Sequence, residues 1–154
     1  MLVARGRIEG NQAILKIGLQ PLVPEAIGVS PSQAPVPVPI REYRALIDTG
    51  AQRTCLTRET IGNEALKPHG KRPIQNVHDV NIHYKFWVNL GFWCESSQPS
   101  QPRDTHRTYY ALPEPVEVID IASNYWFDAL IGMDVLRRFD LIIERTGEFE
   151  LRLN

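Results

Sequence analysis

The sequence predicts a mainly β fold in which short strands close on one another as a small barrel or folded sheet, with one short helix near the C-terminus. Three observations carry this. Between Gln75 and Phe92, apolar residues recur at every second position (Val80, Ile82, Tyr84, Phe86, Val88, Leu90), which is the period of a strand. Short aliphatic runs stop at glycine or at turn-forming residues, as in Ala129-Leu130-Ile131-Gly132. Helical spacing is confined to brief stretches.

Taken in order, Ala13 to Leu19 reads as a strand. Residues 21 to 40 hold six prolines. Proline fixes φ and removes a donor, so this segment is a loop or an extended edge. Arg41 to Ile47 returns to strand character and leads into Asp48, and Thr54-Cys55-Leu56 is another short strand. Thr57 to Leu66 has room for a helical turn or two. Pro68, Gly70 and Pro73 then break the pattern. The long alternating strand follows, with a bulge or bend expected at Asn89-Leu90-Gly91. Residues 95 to 107 are polar, with two prolines, and read as a mobile surface loop. Val116 to Ile121 and Ala129 to Ile131 are strands, and Asp134 to Phe139 has helical spacing. Leu141 to Glu144 and Glu148 to Leu153 flank Arg145-Thr146-Gly147 as a closing hairpin. Two parts follow: residues 1–40, an N-terminal strand plus a Pro-rich segment of the same domain, and residues 41–154, which hold the main domain.

The bulk numbers narrow the function. With 154 residues, 43% hydrophobic and 23% charged, the chain is long enough for one domain with a core. The formal net charge is −1, so no basic excess marks a nucleic-acid partner. No run of roughly 18 apolar residues is present to span a membrane. The start, Met1 to Arg7, lacks the apolar run of a signal peptide, which makes the cytoplasm the expected compartment. Cys55 and Cys94 have no metal-ligand spacing, and no metal or organic cofactor is expected. Cys55 reads as a small packed hydrophobe. Trp87, Trp93 and Trp126 read as core or dimer-surface packing. His69 and His106 read as surface residues, and His78 and His83 as exposed hairpin histidines.

The stretch with chemical content is Leu46-Ile47-Asp48-Thr49-Gly50-Ala51. Two aliphatic residues run straight into an acid, and a carboxylate carried toward an interior is costly unless it is paired or hydrogen-bonded. A bare Asp-Thr-Gly is weak, expected by chance in roughly a few per cent of chains this long. Its plain reading is a strand-ending turn, with Asp48 bonding nearby backbone and Gly50 supplying positive φ. A second segment shifts the balance. Leu130-Ile131-Gly132-Met133-Asp134-Val135-Leu136 is again an apolar strand ending in glycine, and a short helix starts just after it.

As a pair, in this order, the two segments resemble the retropepsins, the retrovirus-type aspartic proteases. There, an apolar pair followed by Asp-Thr-Gly-Ala carries the catalytic acid, and an aliphatic-aliphatic-Gly-x-Asp/Asn-aliphatic-Leu segment packs beside it. Phe139-Asp140-Leu141-Ile142-Ile143, Gly147 and the last strand are also similar to cellular and retrotransposon-type members, so the resemblance spans residues 41 to 154. It implies an aspartic endopeptidase. The family mechanism uses two carboxyls sharing one proton, one activating water and the other polarising the scissile carbonyl. This chain has one Asp-Thr-Gly, so the resemblance implies a homodimer in which Asp48 of each copy meets on the two-fold axis. Thr49 then matches the threonine that braces the site across the dimer. Gly50 matches the glycine that lets backbone approach acid and substrate, and Ala51 a position lining the substrate cleft. Gly132 would permit close packing beneath the Asp48 loop, although an ordinary strand-to-helix glycine predicts the same residue. The expected partner is an extended peptide or protein substrate, bound under a hairpin near Asn76, Val77 and His78.

The chain departs from the family in two places. Pro73 to Tyr84, the region matching the glycine-rich flap hairpin, contains no glycine, although Asn76 to Asp79 still suits a turn. Gln52-Arg53 stands where retroviral enzymes have an acidic pair, and Met133 where they have arginine. Their usual ion pair cannot form, so contacts at the cleft edge should differ. Two rival readings are a non-catalytic dimeric module for peptide binding or assembly, and a monomeric barrel in which Asp-Thr-Gly is only a turn.

Overall fold

The computed structural model describes residues 1–22, 39–75, 77–96 and 107–153. The strands are β1 (Leu2–Glu9), β2 (Gln12–Pro21), β3 (Arg41–Ile47), β4 (Cys55–Thr57), β5 (Gly70–Gln75), β6 (Val80–Ser96), β7 (Thr108–Ala111), β8 (Val116–Ile121), β9 (Ala129–Ile131), β10 (Asp140–Ile143) and β11 (Glu148–Leu153). Two short helices, α1 (Arg58–Asn63) and α2 (Met133–Leu136), complete the order. The fold is therefore mainly β. Of the Pro-rich segment 21–40, residues 23–38 lie outside the described residues, and Pro21 ends β2; of the expected surface loop 95–107, residues 97–106, His106 included, lie outside them, while Glu95 and Ser96 belong to β6 rather than to a loop.

The strands form one sheet in the order β10-β11-β1-β2-β3-β9-β4-β8-β6-β5, with β7 beside β6. The sheet folds back on itself because β6 pairs with β8 at one end and with β2 and β1 further along. Its inner face is apolar: Ile17, Leu19, Leu56, Leu90, Phe92, Val118, Ile131 and Phe149 are fully buried. Phe139 meets Phe92 edge-on, with ring centroids 5.2 Å apart. Buried Glu150 is matched by Arg5 and Arg152.

The local chemistry explains several elements. β1 and β2 join through Gly10 (φ 53°) and Asn11 (φ 64°), two left-handed residues that make a tight hairpin turn matched to strand twist. The Thr57 side chain accepts from Thr60 N–H and caps α1. α2 ends at Leu136, three residues before the expected end at Phe139, with Arg137 as its cap.

Two expectations need correction. Gly70 and Pro73 follow the helical stretch as expected but do not leave a break without secondary structure: both lie in β5, at the edge of the sheet, where a proline has no ladder bond to lose on its open side. β6 runs unbroken through Gly91 rather than bulging. That glycine is needed because the Tyr109 ring lies against it: a Cβ there would stand 2.5 Å from the ring. The tryptophans divide, with Trp93 half-buried against Tyr109, Trp87 stacked on His69 and Trp126 well exposed. Among the described residues, no helix is long and apolar enough to cross a membrane.

Candidate active site

β3 delivers Asp48. Ala45, Leu46 and Ile47 pair in parallel with Ala129, Leu130 and Ile131 of β9, and Asp48 N–H continues the ladder by donating to the Ile131 carbonyl (3.0 Å). Buried Ile47 ends the apolar run, and Asp48 emerges half-buried at the strand end. Its Oδ1 accepts the Gly50 N–H at 2.8 Å, which fixes the carboxylate against its own loop. Gly50 is not left-handed, contrary to the plain turn reading: among the described glycines, positive φ is confined to Gly10 and Gly147. What a side chain at Gly50 would meet is Asp48 Oδ1, 3.2 Å from its Cβ. Thr49 sits exposed at the loop's outer edge.

The second segment packs beneath this loop. Met133 N–H donates to the Ala51 carbonyl (2.8 Å) and Asp134 N–H to the Gln52 carbonyl (3.3 Å). Gly132 lies so close to Arg53 that a Cβ would stand 2.6 Å from its backbone carbonyl. The close approach, not backbone strain, requires glycine there. Two residues absent from the expected site complete the cradle. Fully buried Thr54 donates its hydroxyl to Asp134 Oδ1 (2.8 Å) and its N–H to Oδ2 (3.1 Å), while its hydroxyl oxygen accepts the Gly132 N–H (3.2 Å). The acidic position of the Gly-x-Asp pattern was the available signal for Asp134.

Above the loop, β5 and β6 form the expected hairpin, in register from Gly70 opposite Lys85 to Gln75 opposite Val80. Val77 and His78 are exposed at its tip, and Asn76 lies outside the described residues. Between loop and hairpin runs a cleft of about 460 Å³, lined by Gly50 to Arg53 on one wall, Arg72 to Gln75 on the other and Cys55 and Ile119 at the base. Burial, and then the carboxylates of Asp134, Asp120 and Asp48, push the Cys55 thiol up to about 12, so it stays a protonated packing group.

His83 is not an exposed hairpin residue. Its Nδ1 lies 2.6 Å from the Asp120 carbonyl, and its side chain is only 20% exposed. The Asp120 carboxylate, itself buried, accepts the Tyr84 N–H (2.7 Å) and pairs with Arg58 (3.2 Å), so one acid ties the hairpin root to β8 and α1. His69 is at the surface as expected, where it meets Glu117 at 3.2 Å and stacks on Trp87. Arg53, in place of an acid, reaches the same Glu117 at 3.6 Å.

The architecture has a counterpart among solved structures. The crystal structure of a retropepsin-like aspartic protease from Rickettsia conorii matches with a TM-score of 0.54 at 11% identity, over 97% of this chain and 89% of that one. The fold is retropepsin-like. No family model matches the sequence, and no curated protein does. The match takes in β1 and β2, beyond the 41–154 span of the sequence resemblance. Within the retropepsin-like frame, Asp48, Gly50, Ala51 and Gly132 come together around one loop. Other nearby acids have local duties: Asp134 binds Thr54, Asp120 holds the hairpin root, and Asp128 Oδ2 accepts the Arg44 N–H (2.9 Å). Among the described residues, no group of three or more His, Cys, Asp or Glu is placed to hold a metal ion.

Proposed function

We propose that the protein is an aspartic endopeptidase acting as a homodimer, with Asp48 of each copy forming half of the catalytic pair. The observation that supports this most is the placement of Asp48: an acid at the end of a strand, oriented by the Gly50 amide and opening beside a cleft roofed by a hairpin. One chain supplies one such acid. Two copies related by a two-fold axis supply a symmetric pair. Two carboxyls that close cannot both ionise cheaply, so they share a proton. The ionised one takes a proton from water as the oxygen attacks the scissile carbonyl. The protonated one donates to the carbonyl oxygen. In this reading Thr49, exposed at the loop edge, bonds across the dimer and braces the pair. Gly50 and Ala51 admit the substrate backbone. The tip around Asn76, Val77 and His78 closes over an extended peptide, which binds by backbone hydrogen bonds with alternate side chains in pockets.

The test is hydrolysis of an unstructured protein such as casein at about pH 4 to 6, where a shared proton is available. The wild-type chain is expected to cleave and Asp48→Asn to be inactive but folded and dimeric by sedimentation. An inactive wild type whose dimers are intact, or equal cleavage by both chains, sinks the proposal.

A second reading, a dimeric peptide-binding module without catalysis, is favoured by the hairpin. Val77, Val80 and Ile82 expose apolar surface there without a glycine to let the tip flex. Stable peptide binding by a wild type that never cleaves would select it.

A further inference from the structure

We propose that the cleft beside Asp48 selects peptides carrying acidic side chains, with Arg72 and Arg53 as the specificity-determining residues. This rests on the peptide-cleft reading above and adds the class of substrate.

The strand registers define the wall. Cys55 is opposite Ile119, Ile119 opposite Lys85, Lys85 opposite Gly70, and two residues further along the hairpin His83 is opposite Arg72. Directly paired residues share a face and alternate residues return to it, so Arg72 stands on the same face as Cys55 and Ile119 at the cleft base. Arg53 enters from the facing wall. Among the described residues no carboxylate lines the cleft; Asp48 borders it behind Gly50.

The charges do not balance within it. The acids bordering the cleft are already engaged: Glu117 is divided between Arg53 at 3.6 Å and His69 at 3.2 Å, Asp120 pairs with Arg58, and Asp48 accepts the Gly50 amide. Arg72 is half-buried and, among the described residues, its side chain has neither an ion-pair nor a hydrogen-bond partner, its backbone being taken up in the β5–β6 ladder. A guanidinium stays charged at every relevant pH and offers a planar fork of donors that fits a carboxylate in two-point fashion. Such a pair is stronger in a partly enclosed cleft than in open water. A lysine or arginine of the substrate would meet like charge in the same place. An extended peptide turns alternate side chains to one wall, so its acidic residues belong at alternate positions.

Binding tests this without relying on turnover. The probes are short unstructured peptides, identical except for two Glu, two Gln or two Lys at alternate positions, titrated into the full-length Asp48→Asn chain. The Glu peptide is expected to bind about tenfold more tightly than the Gln peptide. That preference should disappear in Arg72→Gln and turn toward the Lys peptide in Arg72→Glu. Arg72 is on an edge strand, and circular dichroism checks that both variants are folded. Equal binding by all three peptides, binding by none, or an unchanged preference in an Arg53→Glu, Arg72→Glu double variant overturns the proposal. The protease reading fails separately: a wild type that binds the Glu peptide selectively and leaves it intact keeps the selectivity and loses the endopeptidase.

Discussion

Thr54 and Asp134 are 80 residues apart in sequence and share two hydrogen bonds, one from the threonine hydroxyl at 2.8 Å and one from its N–H at 3.1 Å. They join the exit of the Asp48 loop to the start of α2. Removing the carboxylate leaves two donors on a fully buried residue without acceptors. Asp134→Ala is therefore expected to lose about 3 kcal/mol of stability, since bonds to charged groups contribute about 1.5–3 kcal/mol each. Asp134→Asn retains one acceptor and should lose about half of that. Urea unfolding measures both, and a loss below that of a typical surface substitution would contradict the role given to this pair.

Gly132 and Gly62 make opposite predictions for the same substitution. A Cβ at Gly132 meets the Arg53 backbone at 2.6 Å, whereas nothing lies within 4 Å of one at Gly62. Gly132→Ala forces backbone apart under the acid loop and should cost about 1–3 kcal/mol. Gly62→Ala, at an exposed position of α1, should stabilise by about 0.5–1 kcal/mol. Paired thermal melts decide, and the Gly132 variant should also lose hydrolysis of casein more than its stability alone explains.

Asp120 sets a dynamic prediction. Its carboxylate holds the Tyr84 N–H at 2.7 Å and its carbonyl accepts His83 Nδ1 at 2.6 Å. In Asp120→Ala the carbonyl bond to His83 remains but the carboxylate tether is lost, and the Tyr84 amide is expected to exchange at least about tenfold faster, with the core amides of Leu90 and Phe92 little changed. Uniform acceleration across β6 would show that Asp120 supports global stability instead.

Alkaline pH should weaken the fold. Burial pushes Cys55 up to about 12 and Cys94 up to about 11, from ordinary thiol values near 9.0. Tyr43, buried and bonded to Glu64, and half-buried Tyr109 are both raised to about 12 from 10.0. Each group is held neutral in the native chain and loses its proton more readily when unfolded. Their contribution is complete below pH 9, and declines as the unfolded thiols and phenols ionise while the native ones do not. It is lost by about pH 12. The unfolding midpoint should fall between pH 9 and 11, less steeply in Cys55→Ala. A midpoint flat across that range would contradict the burial of these groups.

Much of this was legible in the sequence wherever a signal was local. The strands at 41–47, 116–121 and 129–131 and the 140–153 hairpin follow from short apolar runs and turn residues. Asp48 with Gly132 follows from two glycine-ended segments. β1 was hidden because Arg5, Gly6 and Arg7 dilute its alternation, yet Gly10-Asn11 between two alternating runs was a readable hairpin sign. β5 was hidden by Gly70 and Pro73, whose usual meaning reverses at a sheet edge. The Thr54–Asp134 and His83–Asp120 contacts had no local signature, because tertiary pairing alone brings their partners together.

β6 is 17 residues long and serves first as one arm of the hairpin, then as a wall of the apolar interior. No loop separates the two tasks, so the hairpin has no pivot at its root. It is held at Asp120 like the free end of a clamped beam, so in the peptide-cleft reading its opening would be an elastic bend graded by the stiffness of the strand rather than a switch between two positions.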